Sequence, residues 1–219
     1  MNKISITCLA FFSTTMAVVA APLVDYKNPS LSAEVRTDDL LSRMTLTEKV
    51  GQMCQYVGIE HIKKSEKYLT LKEMQSGDAH GVYPNLHSSK MPGLIKKGEI
   101  GSFLHVVDPK EANQLQKYAS ESRLGIPLII GIDAIHGNGL VNGSTIYPSP
   151  LTMASSWNLD LVRQSSVETA LEMRATGSQW TFTPNIDIAR DPRWGRVGET
   201  FGEDTFLVSE MGVAVIEGL

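Results

Sequence analysis

The stretch "EIGSFLHVVDPKEANQLQKYASESRLGIPLIIGID" (residues 99–133) contains one complete unit of the predicted fold. Residues 99–107 combine β-branched and aromatic side chains, which is typical of a strand. Residues 127–133 form a continuous apolar run, the pattern of a strand that is covered on both faces. The segment between these two runs predicts a helix. The stretch therefore indicates a strand–helix–strand unit with parallel strands.

The ends of this helix are marked by residues that commonly begin and end helices. Asp108 is suited to cap the helix, Pro109 to occupy its first position and Glu111 to complete a capping box. Gly125 and Pro127 predict where the helix ends. One helix thus fills most of the connection between the two strands.

The same alternation continues on both sides of this unit. "MCQYVG" (53–58) predicts an earlier strand, and "WTFTPNIDI" (180–188) predicts a later one. Helical patterns occupy residues 158–177 and 205–219. An α/β fold follows, with a parallel sheet and helices outside it, and both a (β/α) barrel and an open doubly wound sheet fit this pattern. A complete barrel has about eight such units and this chain shows about four, so as a barrel it is roughly half built.

Further helix ends can be located from single residues. Thr45 and Glu48 have the spacing of a capping box. Gly177 is expected to end one helix, and Asp204 is expected to cap the last one. Residues 58–93 are polar and irregular, and we expect a long excursion from the core there.

The N-terminal segment "MNKISITCLAFFSTTMAVVAAP" differs from the rest of the chain. It places Lys3 before an apolar run that ends in small residues, which predicts a secretory signal peptide over residues 1–20. Cleavage is expected after Ala20, with Val18 at the minus-three position. The alternative is a membrane anchor, but the apolar run is shorter than a spanning helix of ~20 apolar residues. Residues 21–219 are then the mature portion, in the periplasm or outside the cell.

The remaining composition excludes several classes of function. The formal net charge is -4 and no polybasic run occurs, so neither nucleic acid nor an anionic membrane surface is favoured. Cys54 is the one cysteine outside the predicted signal peptide, and it lies in an apolar context. A lone cysteine forms neither an intramolecular disulfide nor a zinc site, and we expect a buried, inert thiol.

Asp133 is the first candidate site residue, because it follows a predicted strand at the end where parallel α/β folds bind ligands. A carboxylate there can accept hydrogen bonds from two neighbouring sugar hydroxyls, although an Asp that caps a turn fits equally well. His136 could donate to a ligand or could be a structural histidine, and the second interpretation is favoured. The glycines around them match neither a dinucleotide fingerprint nor a phosphate-binding loop.

The second candidate is the loop "RDPRWGRVGETFGED" (190–204), which follows a predicted strand. Arg190, Arg193 and Arg196 lie close to several acids, Glu199 among them. Arg pairs with carboxylates through a rigid fork, so the loop could be held rigid and aim one guanidinium at a ligand. The alternative is a solvated loop whose salt bridges contribute little to stability.

Four motifs together resemble the glycoside hydrolase family 3 β-glucosidases. They are "DLLSRMTLTEKVGQM" (39–53), "GIDAIHG" (131–137), "TIYPSPLTMASSWN" (145–158) and "ARDPRWGRVGETFGEDTFLVSEMGVAVIEGL" (189–219). The resemblance covers most of the chain from residue 36 onwards, in family order.

The resemblance implies that the first domain is a (β/α)8 barrel of the TIM type, of which this chain would be roughly the first half. It also implies that Asp133 and Arg196 bind hydroxyls of the sugar next to the scissile bond, with Arg190, Glu199 and His136 supporting them. The motifs match the glucosidase branch, because the Glu-Gly-Gly of the N-acetylhexosaminidase branch is absent after the Asp-containing strand.

The chain departs from the family pattern at the catalytic groups. Retaining glycosidases use two carboxylates, a nucleophile and an acid/base. In the family the nucleophile lies in a Ser-Asp-Trp-like motif, and no Ser-Asp dipeptide occurs here. The acid/base comes from a second domain. No catalytic residue is therefore assigned in this chain; both are expected beyond Leu219, and Asp133 is expected to bind rather than attack.

The expected function is that of a fragment of a secreted, exo-acting, retaining β-glucosidase that acts on terminal β-D-glucosyl residues and is inactive alone. The substrate is a β-glucoside or a gluco-oligosaccharide, and no metal or organic cofactor is implied. One alternative is a non-catalytic sugar-binding module derived from a cut-down barrel. Another is an unrelated parallel α/β enzyme that uses the same strand-end loops.

Overall fold

The computed structural model of the chain describes residues 25–70 and 87–219. The predicted signal peptide with its cleavage site lies outside the described residues, as does the middle of the predicted excursion. The described chain divides into two compact units, of which the first ends at Arg43 and the second begins at Met44. Among the described residues, no helix is both long enough and apolar enough to cross a membrane.

The first unit contains helix α1 (Ala33–Arg43) and the turns that precede it. Asp39 on α1 accepts a hydrogen bond of 2.9 Å from the backbone N–H of Tyr26 and forms an ion pair with Arg43. Arg36 donates from Nε to the carbonyl of Tyr26 at 2.7 Å. These contacts attach the turns to one side of the helix.

Four parallel strands form the sheet of the second unit. They are β1 (Gln55–Val57), β2 (Ser102–Leu104), β3 (Ile129–Ile132) and β4 (Trp180–Thr181). Their order in the sheet is the same as their order in the chain, and all three neighbouring pairs are parallel. A doubly wound sheet reverses its strand order at a switch point, and this sheet does not. The prediction of an incomplete (β/α)8 barrel is therefore confirmed over the open sheet.

Helices connect the strands and cover the sheet. They are α2 (Leu46–Gln52), α3 (Ile59–Tyr68), α4 (Met91–Lys96), α5 (Pro109–Ser120), α6 (Pro150–Ala154), α7 (Leu159–Thr176) and α8 (Thr205–Gly218). The predicted capping box at Thr45 is confirmed, because its side chain accepts from the N–H of Glu48 while Glu48 accepts from the N–H of Thr45. Gly177 ends α7 in the left-handed conformation that glycine tolerates, and Asp204 caps α8, both as predicted.

Two predictions for this part of the chain are wrong. The first part of the expected irregular excursion is in fact helix α3. The helix is hard to recognise in the sequence because it is mostly polar and only Ile59 and Ile62 are buried. Glu111 does not complete a capping box on its own helix. It instead accepts hydrogen bonds from the N–H groups of Ile59 and Glu60, so it caps the neighbouring helix α3.

The core is divided between the sheet and the outer helices. One cluster packs β2 and β3 against α4 and α5, and Phe103 and Ile130 at its centre are fully buried. A second cluster packs α6, α7 and α8 together around Met211. Small residues allow α7 and α8 to approach closely, since a Cβ atom on Gly218 would lie 2.5 Å from the Cβ of Ser166. The first cluster thereby holds β2 and β3 against the helices.

Candidate functional site

The carboxyl ends of β2 and β3 bring His105 and Asp133 together. Each residue directly follows its strand, and the strands are parallel neighbours, so their ends meet at one edge of the sheet. Nε2 of His105 lies 2.9 Å from Oδ2 of Asp133. The Asp133 side chain remains 42% exposed, and within the described chain its Oδ1 atom accepts no hydrogen bond. Asp133 therefore presents one carboxylate oxygen to solvent at the strand end, as the sequence predicts for a ligand-binding position.

The backbone at His105 adopts an unusual conformation that fixes this arrangement. Its φ angle is 55°, in the left-handed region that non-glycine residues seldom occupy. The N–H of His105 donates to the carbonyl of Gly131 at 2.8 Å, and the next residue, Val106, is fully buried. The chain on both sides of His105 is thus anchored to the sheet and core.

The loop after β4 carries Arg196, the second candidate residue. Arg196 contacts Glu199 through Nε, at 3.1 and 3.0 Å from the two carboxylate oxygens, and through Nη2 at 2.6 Å from Oε2. Asn185 donates from Nδ2 to the same Glu199 oxygen at 3.0 Å. Glu199 is therefore held between the guanidinium and an amide from the start of the same loop, and it restricts the orientation of Arg196.

Several carboxylates act on the charge of Arg196. The hydrogen bond and charge of Glu199 raise the pKa of Arg196, and the carboxylates of Asp187 and Asp133 raise it further. In return, the hydrogen bond from Arg196 lowers the pKa of Glu199. Asp133 and Arg196 thus combine a hydrogen-bond acceptor and a cationic donor within reach of each other's field, which suits a ligand rich in hydroxyl groups.

His136 has a local partner rather than an open position. Its Nδ1 lies 2.7 Å from the carbonyl oxygen of Tyr147, while the N–H of Tyr147 donates to the carbonyl of His136 at 2.8 Å. Since a carbonyl only accepts, Nδ1 carries the proton. The ring therefore closes the loop between β3 and α6, which agrees with the structural interpretation of this histidine.

The other arginines of the loop lie apart from this pair. Arg193 forms an ion pair with Asp191 and its side chain is 89% exposed. For Arg190, the described part of the chain shows no side-chain hydrogen bond or ion pair. The supporting role of Arg190 stays a prediction that no contact in the structure supports.

Sequence reasoning missed two residues that contact the candidate site residues. His105 lies inside a run interpreted as strand, and Asn185 lies inside the run predicted as the last strand, of which only Trp180–Thr181 is extended in the sheet. The sequence could have pointed to His105, because His105 directly follows a strand in the same way as Asp133. Asn185 carries no such signal, since its role depends on a contact with Glu199 across the loop.

No grouping of three or more His, Cys, Asp or Glu within residues 25–70 and 87–219 has the geometry of a metal site.

A cavity of about 580 Å³ lies between α6 and α7, where Tyr147, Met153, Leu161 and Val162 are among its lining residues. Neither Asp133 nor Arg196 lines it. Cys54 is partly exposed rather than buried, which corrects that prediction.

Comparisons with known proteins identify the family. Residues 45–219 match the profile of the glycosyl hydrolase family 3 N-terminal domain. The chain is 34% identical over 199 residues to a periplasmic β-glucosidase of Salmonella typhimurium, covering 89% of this chain and 22% of that protein. It is 36% identical over 204 residues to a putative β-xylosidase of Formosa agariphila, covering 89% and 25%.

Solved structures give the same result. A mutant β-glucosidase of Listeria innocua in complex with laminaribiose aligns with 34% identity and a TM-score of 0.66, over 86% of this chain and 24% of that one. The chain spans about a quarter of the length of the curated relatives that it matches. The consecutive parallel strands agree with the match over residues 45–219, and the chain belongs to glycosyl hydrolase family 3 through its N-terminal domain.

Proposed function

We propose that the chain forms the glucose-binding part of an exo-acting, retaining β-glucosidase, which removes terminal β-D-glucosyl residues from oligosaccharides or glucosides. The observations that carry this proposal are the partly exposed Asp133 carboxylate at the end of β3, held by His105, and Arg196 on the loop after β4, held by Glu199. Similarity to a periplasmic β-glucosidase and to a β-glucosidase in complex with laminaribiose supports this substrate class.

Glucose would be bound through neighbouring hydroxyl groups. The exposed Oδ1 of Asp133 accepts a hydrogen bond from one hydroxyl, and Arg196 donates to the oxygen of another through the N–H groups that do not contact Glu199. A hydroxyl both donates and accepts, so a pair of neighbouring hydroxyls matches an acceptor and a donor side by side. Arg190 and His136 would support this site from the surrounding loops.

The two catalytic carboxylates would be supplied by polypeptide outside these 219 residues. Asp133 matches the binding motif, and its hydrogen bond to His105 restrains the carboxylate rather than leaving it as an open nucleophile. The chain spans only about a quarter of its relatives, which leaves ample sequence for a nucleophile and an acid/base. We infer that the 219-residue polypeptide binds sugar without turning it over, and that residues 1–20 direct residues 21–219 to the periplasm or beyond.

The test compares hydrolysis of 4-nitrophenyl β-D-glucoside by two proteins. One is the polypeptide that ends at Leu219, and the other is the full reading frame that carries it. We expect turnover only from the full reading frame. Within it, Asp133→Ala and Arg196→Ala should each lower kcat/KM by roughly 100-fold, because each removes hydrogen bonds from a charged group to the sugar.

Asp191→Ala is the matched control, since Asp191 lies on the same loop but pairs with the exposed Arg193. Unchanged kcat/KM in Asp133→Ala would contradict the proposal. Turnover by the 219-residue polypeptide would contradict the placement of the catalytic groups. Glucose binding without turnover by the full reading frame would instead favour a non-catalytic sugar-binding module.

A second candidate substrate is a β-xyloside, because one relative is a putative β-xylosidase. Xylose lacks the hydroxymethyl group of glucose. Rates with 4-nitrophenyl β-D-xyloside, measured beside the glucoside in the same enzyme, decide between them. A larger kcat/KM for the xyloside would overturn the glucosyl preference while leaving the family assignment intact.

A further inference from the structure

We propose that His105 is a positioning residue for the sugar site: its imidazole orients the Asp133 carboxylate so that the second oxygen faces the ligand. This inference rests on the proposed function, since it assigns a role in glucose binding. It concerns a residue outside the sequence motifs from which the sugar-binding positions were inferred.

The contact has the geometry of a hydrogen bond. Nε2 of His105 and Oδ2 of Asp133 lie 2.9 Å apart, within the usual range for N–H and oxygen. A carboxylate only accepts, so Nε2 is the donor. With Oδ2 engaged, rotation of the carboxylate is restricted, and Oδ1 is the oxygen left for a hydroxyl. The two residues are 28 positions apart in the chain, so the contact depends on the pairing of β2 with β3.

The backbone conformation supports a role for the side chain itself. At a φ angle of 55°, glycine would be unstrained, yet a histidine occupies the position. Strained residues of this kind cluster at functional sites, where the surrounding structure holds them in place. Here Val106 is buried and the N–H of His105 is bonded to Gly131, so the sheet holds the strained residue and directs its ring at Asp133.

The arrangement matches the other half of the site. Glu199 orients Arg196 as His105 orients Asp133, and in both pairs one group carries the ligand contact while the other fixes its direction. Neither partner needs to touch the sugar. A group that acts only through Asp133 should have no effect once Asp133 can no longer make its normal contact.

A double-mutant cycle tests this dependence. The variants His105→Ala and Asp133→Asn, and the double variant, are made in the full reading frame, and the Kd for glucose is measured by isothermal titration calorimetry. We expect His105→Ala to weaken glucose binding by roughly tenfold in the wild-type background, the scale of one lost hydrogen bond to a charged group. In the Asp133→Asn background, His105→Ala should change the Kd by less than about twofold, since neighbouring groups in one network are not additive.

Two further variants separate positioning from folding. His105→Gly relieves the backbone strain while removing the donor, so thermal stability should be kept and glucose affinity lost. His105→Gln should recover part of the affinity, because its amide N–H can reach Asp133 from a similar distance. His87→Ala is the matched control, since His87 also pairs with a carboxylate, that of Glu66 on helix α3.

The outcomes separate the inference from the proposed function. If Asp133→Asn leaves the Kd unchanged, or the wild type does not bind glucose, the proposed sugar site is wrong, and the role of His105 falls with it. If Asp133→Asn weakens binding but His105→Ala does not, only the role of His105 is overturned. An equal effect of His105→Ala in both backgrounds would show that it acts independently of Asp133 and would also overturn the inference.

Discussion

Glu48 is a buried carboxylate that joins helix α2 to the turn after α5. Arg123 donates to it from Nε at 3.0 Å and from Nη2 at 2.5 Å, and the N–H of Thr45 donates at 2.8 Å. These hydrogen bonds, above all those from Arg123, lower the pKa of Glu48 from 4.5 to about 2. The residue therefore combines a helix cap with a contact between distant parts of the chain.

The lowered pKa of Glu48 predicts a specific dependence of stability on pH. The folded state holds the ionised form more strongly than the unfolded state does, so the stabilisation is complete above the ordinary pKa of 4.5. It should be lost as the pH falls from there towards 2. With allowance for the half-exposed Arg123, Glu48→Gln should lower the free energy of unfolding by about 2 kcal/mol at pH 7.

Urea denaturation at pH 7 and at pH 3 measures this difference. The gap between wild type and Glu48→Gln should be smaller at pH 3. Glu121→Gln is the control, because Glu121 forms an exposed pair with Lys96 that should add little. A gap that stays constant between the two pH values would show that the charge of Glu48 is not the stabilising factor.

The residues of the candidate site differ in how far the sequence alone predicts them. Asp133 and Arg196 could be proposed as candidates because each stands in a recognisable motif that follows a strand. His105 stands in an equivalent place, but its φ angle and its contact with Asp133 exist only once β2 and β3 are paired. Asn185 is still harder to predict from the sequence, because its contact with Glu199 depends on how the loop between them folds.

Helix ends follow the same division between local and distant contacts. The capping box at Thr45, the Gly177 terminus and the Asp204 cap depend on residues within one turn, and the sequence predicts all three. Glu111 was assigned to its own helix by spacing, yet it caps α3 because the first turn of α5 lies beside the start of α3. Burial raises the pKa of Glu111, an effect that no local pattern contains.

Two glycines allow a matched test of packing between elements. A Cβ atom on Gly101, just before β2, would lie 2.3 Å from the carbonyl oxygen of Gln52 at the end of α2. Backbone atoms cannot move aside easily, so Gly101→Ala should lower the free energy of unfolding by about 2 to 4 kcal/mol. Apart from the adjacent backbone of α4 itself, no atom of the residues that the structure describes lies within 4 Å of a Cβ position on Gly93. Gly93→Ala should therefore raise stability by about 0.5 to 1 kcal/mol, since alanine favours helix.

Thermal or urea denaturation of the two variants checks the signs. Each variant adds one methyl group, so the contrast between them reports the surroundings of that group. Equal shifts in the same direction would mean that α2 does not pack against β2 as closely as the structure shows.

For the whole molecule, the sequence predicts the alternation of strands and helices, but it does not by itself predict the order of the strands in the sheet. Alternating strands and helices predict a parallel sheet, but the choice between barrel and open sheet depends on which strands become neighbours. Periodicity does not encode that choice, because it depends on which strands become neighbours, and residues such as Phe103 and Ile130 show only that both strands are buried. The barrel, as opposed to the open sheet, was implied only by the resemblance of the motifs to a known family.

The two outer strands of the sheet, β1 and β4, have unpaired edges among the described residues. Within the described residues β1 and β4 each pair with a strand on one side only, and Trp180 on β4 is 44% exposed. An open apolar edge is a template for pairing with another chain, and a lysine on it opposes such pairing. The 219-residue polypeptide should therefore associate as its concentration rises, and Trp180→Lys should reduce that association by roughly tenfold or more in the apparent association constant.

Analytical ultracentrifugation over a range of concentrations measures the association. Trp157→Lys is the matched control, because Trp157 is 73% exposed between α6 and α7 but does not belong to the sheet. Circular dichroism must show that both variants keep their secondary structure. If Trp157→Lys reduces association as much as Trp180→Lys, exposed aromatic surface rather than the strand edge drives it. A wild-type polypeptide that stays monomeric at every concentration would contradict the prediction. It would show that the edge of β4, with its 44% exposed Trp180, does not pair with another chain.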